Sequence, residues 1–170
     1  MLLTLRPATA DDLMDVGELH HRSRTAAYQG LVPDDALTAQ SGAMLGRWWS
    51  ERWPYERDTH LMTVAEHDDE LVGFSYVGPD SDGEPGTGML YAIHLDPDQQ
   101  GRGVGRALMI DALATLHDQG FHRAALWVLT DNAHARRFYE RGGWSPTATT
   151  RTDHIGPALT PQIRYTRPLP

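Results

Sequence analysis

The stretch Asp96-Pro97-Asp98-Gln99-Gln100-Gly101-Arg102-Gly103-Val104-Gly105-Arg106 places glycine at three alternate positions immediately before an amphipathic helical pattern. Glycine takes positive φ without a Cβ penalty, so this spacing predicts a permissive turn. Its main-chain N–H groups, from Gln100 to Arg106, would stand unhindered over the positive end of a helix, where a pyrophosphate is stabilised. A Walker-type loop needs Lys and Ser or Thr after its last glycine, whereas Arg106 and Ala107 follow Gly105. A dinucleotide fingerprint is the rival reading, with Asp131 as the acidic residue after the next strand. It lacks the third glycine at the required offset, and antiparallel strands precede the loop.

Around this loop, 170 residues with 40% hydrophobic content suffice for one core, so a single domain over 1–170 is expected. A net charge of -8 argues against a nucleic-acid partner, whose phosphates call for Lys and Arg. The absence of cysteine excludes disulfides, thiolate nucleophiles and Cys-based zinc sites. Among nine histidines, only His20 and His21 are close, and neighbours on a helix do not share a face, so no metal site is expected and the histidines are expected on the surface. The amino terminus turns acidic too soon for a signal peptide, and no apolar run approaches a membrane span; a cytoplasmic protein is expected.

The pattern predicts a strand over 2–6 and, from the spacing of Thr9 and Asp12, a capped helix to about His21. An irregular link, 23–35, leads to a second helix after Pro33-Asp34-Asp35, carrying Leu37, Met44, Leu45, Trp48 and Trp49. Residues 62–66 and 71–78 read as a hairpin about the polar turn 67–70, and 89–95 as an apolar strand buried on both faces. After the glycines, Val104, Leu108, Ala112 and Leu116 mark one stripe of a helix ending at Gly120. Then come a buried strand over 123–129, a helix capped by Asp131 or Asn132 and ending at Arg141, and a last hairpin with Pro157 and Pro161 in its loop. A mixed α+β sheet follows.

Gln100-Gly101-Arg102-Gly103-Val104-Gly105 resembles the Q/R-x-x-G-x-G/A acetyl-CoA signature of the GNAT N-acetyltransferases. Residues 126–144, LWVLTDNAHARRFYERGGW, resemble that family's V-x-x-x-N-x-x-A-x-x-F-Y-x-x-x-G-F stretch, with Trp144 where Phe is usual. The resemblance implies a mostly antiparallel twisted sheet of six to seven strands with about four flanking helices, and an enzyme that moves the acetyl group of acetyl-CoA to an amine. It also implies that the Gln100–Arg106 amides hold the pyrophosphate with Arg102 and Arg106 as charge partners, and that Asn132 bonds the pantetheine arm, with Ala135 beside it. The arm would add to the strand through the main chain of Ile93 to Leu95, His94 between them, and the Leu95 N–H would meet the thioester oxygen. Tyr139 resembles the proton donor to the departing thiolate.

Many relatives carry a glutamate near the start of the strand before the loop, but here Gly88-Met89-Leu90-Tyr91 stands there. The base is left among Glu66, Tyr91, His94 and a water chain, His94 being the one side chain of its strand that titrates near neutrality. By the same resemblance the acceptor cleft is lined from 25–37, 48–53 and 145–162, with Tyr28, Trp48 and Trp49 as an aromatic wall. The acidic balance favours a small cationic amine, a protein N-terminus or lysine being the alternative acceptor and a nucleotide-cofactor module or dehydrogenase the alternative function. Relatives often pair through their sheets, and Gln162–Thr166 would be an edge for a homodimer to cover.

Overall fold

The computed structural model describes residues 2–170. Seven strands, β1 (Leu3–Pro7), β2 (Leu61–His67), β3 (Glu70–Pro79), β4 (Thr87–Leu95), β5 (Arg123–Leu129), β6 (Ser145–Ile155) and β7 (Ala158–Pro168), form one sheet ordered β1-β2-β3-β4-β5-β7-β6. Five α-helices accompany it: α1 (Leu13–Ala27), α2 (Asp34–Thr38), α3 (Gly42–Glu56), α4 (Val104–Asp118) and α5 (Ala133–Arg141). The mixed α+β architecture is the expected one. Among the described residues no helix is long and apolar enough to cross a membrane.

The start of α1 is tied down by Asp12, whose carboxylate accepts the Thr9 N–H at 2.7 Å and Arg6 guanidinium N–H groups at 2.8 Å. The helix runs past the expected end at His21 because Ser23 to Ala27 contains no breaker; the first left-handed residue is Gly30, at φ 81°. The second expected helix is two, since α2 stops at Thr38 and Ser41 opens α3 by accepting the Met44 N–H at 3.1 Å. A Cβ on Gly17 would lie 2.2 Å from the Gly46 nitrogen, so α1 and α3 meet backbone to backbone. Their apolar side chains, with Trp49 and Phe74, cover one face of the sheet. Val104 and Leu108 of α4, both fully buried, cover the other.

The sheet is antiparallel except between β4 and β5, which rules out a doubly wound dinucleotide fold. That parallel pairing lasts only from Thr87–Met89 against Arg123–Ala125. Opposite the register shift at Tyr76/Val77, Tyr91 is the extra residue of a bulge, and a bulge bends its strand. Beyond it the strands diverge, so only the first half of β4 is buried on both faces and Tyr91 to Leu95 border a gap. The expected edge at Gln162–Thr166 is not an edge: β7 lies between β5 and β6, because the terminal hairpin folds back with its second strand inward. Pro157 lies in the hairpin turn, but Pro161 stands within β7 opposite Thr152.

A buried ionic strap crosses the diverging strands. The Arg164 guanidinium on β7 meets Asp80 at 2.7 Å, Asp82 at 2.7 Å and Glu84 at 2.9 Å, all three on the β3–β4 connection. Asp82 also accepts the Trp127 indole N–H at 3.0 Å. Replacing Arg164 with Leu strands the Asp80 carboxylate, whose side chain is 1% exposed. The expected loss is about 3 kcal/mol in urea denaturation, the low end for a broken buried pair, because Asp80 keeps the N–H groups of Asp82 and Glu84. Adding Asp80→Asn to that variant is expected to restore part of it.

Candidate active site

The glycine loop is prepared by Asp96, whose N–H donates to the Val72 carbonyl at 2.9 Å and whose carboxylate accepts the Asp98 N–H at 3.1 Å. Gly101 and Gly103 take φ of 76° and 85°, and Gly103 caps α4. Nothing lies within 4 Å of a Cβ built on either, so their requirement is torsional. Gly105 has another reason: its Cβ would come within 3.2 Å of Leu95 Cδ1. Among the described residues, no main-chain N–H from Gln100 to Arg106 has a protein acceptor. Exposed Arg102 and Arg106 have no carboxylate partner there, although the positive end of a helix disfavours cations. Val104 contributes only its N–H, since its side chain is core.

The free edge of β4 leads into this loop. Because Asp96 donates to Val72, the alternation of an antiparallel ladder turns the polar groups of Ala92 and His94 toward β3. Those of Ile93 and Leu95 therefore face the gap where β5 has departed. Across the gap, Asn132 is the cap of α5, its Oδ1 accepting the Ala135 N–H at 3.2 Å. Tyr139, further along α5, packs its ring near Phe138, Trp144 and Tyr165. Burial, and secondarily the nearby Tyr28 hydroxyl, push its pKa well above the phenol range, so it stays protonated.

On the α1–α3 face a cleft of about 310 Å³ opens beside β4. Tyr28, Trp48, Trp49 and Tyr91 all line it. Trp49 is mostly core, 3% exposed, donating its indole N–H to His20 Nδ1 at 3.2 Å, while Trp48 is 39% exposed under the Arg52 guanidinium. Arg52 is held by Glu56 at 2.6 Å, and Glu56 also accepts the Tyr76 hydroxyl at 2.9 Å. Opposite them, Arg151 stacks 4.4 Å above Trp127.

A family model for the acetyltransferase (GNAT) family matches residues 22–144. The chain belongs to the GNAT acetyltransferase family. It is 32% identical over 161 residues to mycothiol acetyltransferase from Rhodococcus opacus (strain B4), covering 85% of this chain and 52% of that protein. The chain thus spans about half the length of these relatives. It is also 27% identical over 132 residues to the uncharacterized N-acetyltransferase YuaI of Bacillus subtilis (strain 168), covering 77% and 74% of the two chains. The structure of PaiA N-acetyltransferase from Thermoplasma acidophilum, solved in complex with coenzyme A, superposes with a TM-score of 0.82 over 99% of both chains at 17% identity, a likeness of fold.

Within this GNAT fold the expected base candidates separate. Glu66 sits on β2, ion-paired to Arg6, two strands from β4, and does not reach the cleft. Tyr91 donates its hydroxyl to the Pro79 carbonyl, and burial pushes its pKa above the ordinary phenol value, so it stays protonated. His94 remains in the cleft. Its Nδ1 lies 3.0 Å from Ser23 Oγ, and its ring is 4.5 Å from that of His20. Burial first, then Arg24, lower His94 to about 4, and burial also holds His20 well below the imidazole range. These two histidines are therefore not scattered on the surface, as the sequence led us to expect, but paired and neutral beside the cleft.

Arg52, Arg151 and Asp153 line the cleft from the expected segments 48–53 and 145–162, whereas sequence reasoning missed His20, Arg24 and Trp127. His20, Arg24 and Tyr28 form an i, i+4, i+8 row that becomes visible once α1 is carried to Ala27. The cleft's charge also departs from the chain's: the net charge is -8, yet three arginines and one carboxylate, Asp153, line it. Net charge averages the whole surface, whereas a cleft feels the groups around it.

The depressed histidines have a signed consequence for stability. As pH falls below 6.5 the unfolded chain takes up a proton at His94, while the folded chain waits until about 4, so stability drains across that window. Urea titrations of wild type and His94→Gln are expected to diverge by roughly 1–2 kcal/mol between pH 6.5 and 5, with wild type losing more.

Proposed function

We propose that this chain transfers the acetyl group of acetyl-CoA to a primary amine of a small molecule. The observation that carries the reading is the free edge of β4 running directly into seven unsatisfied main-chain N–H groups, Gln100 to Arg106, at the start of α4. Extended backbone beside an anion cradle suits a ligand with an amide-bearing arm and a pyrophosphate. Acetyl-CoA, when bound, supplies an acetyl thioester.

The loop amides, with Arg102 and Arg106, would hold the pyrophosphate, and Ile93 and Leu95 would pair with the pantetheine arm. Asn132 would help through its amide N–H groups, its Oδ1 already accepting the Ala135 N–H. The Leu95 N–H would donate to the acetyl oxygen as negative charge develops there. Tyr139, held protonated by its surroundings, would return a proton to the departing sulfur. His94 stays neutral at physiological pH and, with Ser23 on Nδ1, would accept a proton from the amine as attack proceeds. A group near 4 is too weak a base to deprotonate a free alkylammonium, so the amine must arrive neutral.

Three measurements test this. Acetyl-CoA and CoA are expected to raise the melting temperature, and NAD and ATP to leave it unchanged, since only a ligand preferring the folded state stabilises it; a shift with NAD alone would overturn the reading. Gly103→Val forces a β-branched residue to φ 85°. We expect the apparent KM for acetyl-CoA to rise tenfold or more while that for the amine stays within about threefold, at a stability cost of roughly 1–2 kcal/mol. Tyr139→Phe keeps the ring and deletes the proton. Thiol release is expected to fall roughly 10²–10⁴-fold in kcat, with CoA affinity intact.

A further inference from the structure

Among the described residues Arg24 is a buried cation with no carboxylate partner. It sits in the last turn of α1, 8% exposed, and lines the cleft between His20 and Tyr28. Among the described residues its single side-chain partner is a neutral one, the Gln40 Oε1 at 3.1 Å, and its buried Nε has none. The other two arginines of the cleft are neutralised in place, Arg52 by Glu56 at 2.6 Å and Arg151 by Asp153 at 3.4 Å. A buried guanidinium without a counter-charge is strongly unfavourable. Its fixed fork of donors matches a carboxylate bidentately, which a water or an amide cannot reproduce.

The position fits a substrate contact. Arg24 and His94 line the same cleft, so the guanidinium shares a wall with the part of β4 whose Leu95 N–H faces the gap. An acceptor whose amine approaches Leu95 would present its far end to this wall. Apolar and aromatic surface from Trp48, Trp127 and Leu90 surrounds the space between. A polyamine or an aminoglycoside would bring more positive charge to a cleft that already holds an unpaired cation, which Coulomb repulsion in a poorly solvated site disfavours.

We propose that the acceptor of this enzyme is an amine that also bears a carboxylate, an amino acid or a close derivative, and that Arg24 is the residue that seats the carboxylate. This rests on the acetyltransferase reading above and specifies its substrate class. It reverses the preference for cationic amines that net charge alone suggests.

The test compares matched acceptors with wild-type enzyme: each ordinary L-amino acid against its carboxamide and its decarboxylated amine, by thiol release with acetyl-CoA. At least one amino acid is expected to exceed both of its uncharged-end partners by about 10²-fold or more in kcat/KM. Arg24→Met is expected to erase that preference by lowering the amino acid's value while leaving the carboxamide's within about threefold and the acetyl-CoA melting shift intact. Arg24→Lys, which keeps the charge without the fork, should retain part of it and serves if the Met variant does not fold. Equal or better turnover of carboxamides and decarboxylated amines by wild type overturns the proposal, as does an absence of turnover for every amino acid while acetyl-CoA still binds. An Arg24 variant that loses the acetyl-CoA shift, or slows both acceptor types alike, overturns it too, assigning Arg24 to the cosubstrate or the fold. Failure of the acetyltransferase reading itself has a different signature: no acetyl-CoA shift and no thiol release with any amine.

Discussion

The departure of β5 from β4 after three paired residues is the constraint on which the site depends. A parallel pair that continued would satisfy the Ile93 and Leu95 main chain within the sheet and leave no edge for a ligand. The bulge at Tyr91 bends β4 at the point where pairing stops, and β5 completes its own ladder with β7 instead. Divergence costs hydrogen bonds along one edge, so something must hold the two halves together elsewhere. The Arg164 strap does so, fastening the β3–β4 connection to β7 with three carboxylates around one buried guanidinium.

Two arginines thus occupy opposite situations in one molecule. Arg164 and Arg24 are 6% and 8% exposed, yet Arg164 is surrounded by carboxylates and Arg24 by a single neutral amide. The first arrangement is complete and ties strands together; the second leaves a charge without its complement at the wall of a cleft. Since burial of an ion is tolerable only with compensation, the contrast separates a structural cation from one poised for a ligand. The neighbouring histidines belong to the same environment. Enclosure between α1 and β4, with Arg24 beside them, keeps His20 and His94 neutral, so the cleft's fixed charge near neutral pH comes from its arginines and Asp153.

The glycines of the loop illustrate how one residue type serves two needs. Gly101 and Gly103 supply left-handed torsions that turn the chain into α4, with open space around each. Gly105 has ordinary helical torsion and instead lets the helix approach Leu95. The close approach brings the N-terminus of α4 up to the end of β4, so that the free strand edge and the free N–H groups form one continuous surface.

What the sequence determined by itself was local. The glycine spacing, the stripe Val104, Leu108, Ala112 and Leu116, and the block from Leu126 to Trp144 are short-range patterns, legible because helix periodicity, capping and left-handed torsion depend on neighbours a few residues apart. Tyr28, Trp48, Trp49 and Tyr91 were placed at the cleft through family likeness carried by those same blocks. The tertiary structure decided the rest. Whether Glu66 reaches the cleft or pairs with Arg6, whether Gln162–Thr166 is an edge or an interior strand, and whether His94 titrates near neutrality all depend on partners tens of residues away. The same holds for Arg24. Nothing in Ser23-Arg24-Thr25 marks it, because its burial and its lack of a carboxylate are properties of the space enclosed by α1, β4 and the terminal hairpin, which exists only once the chain has folded.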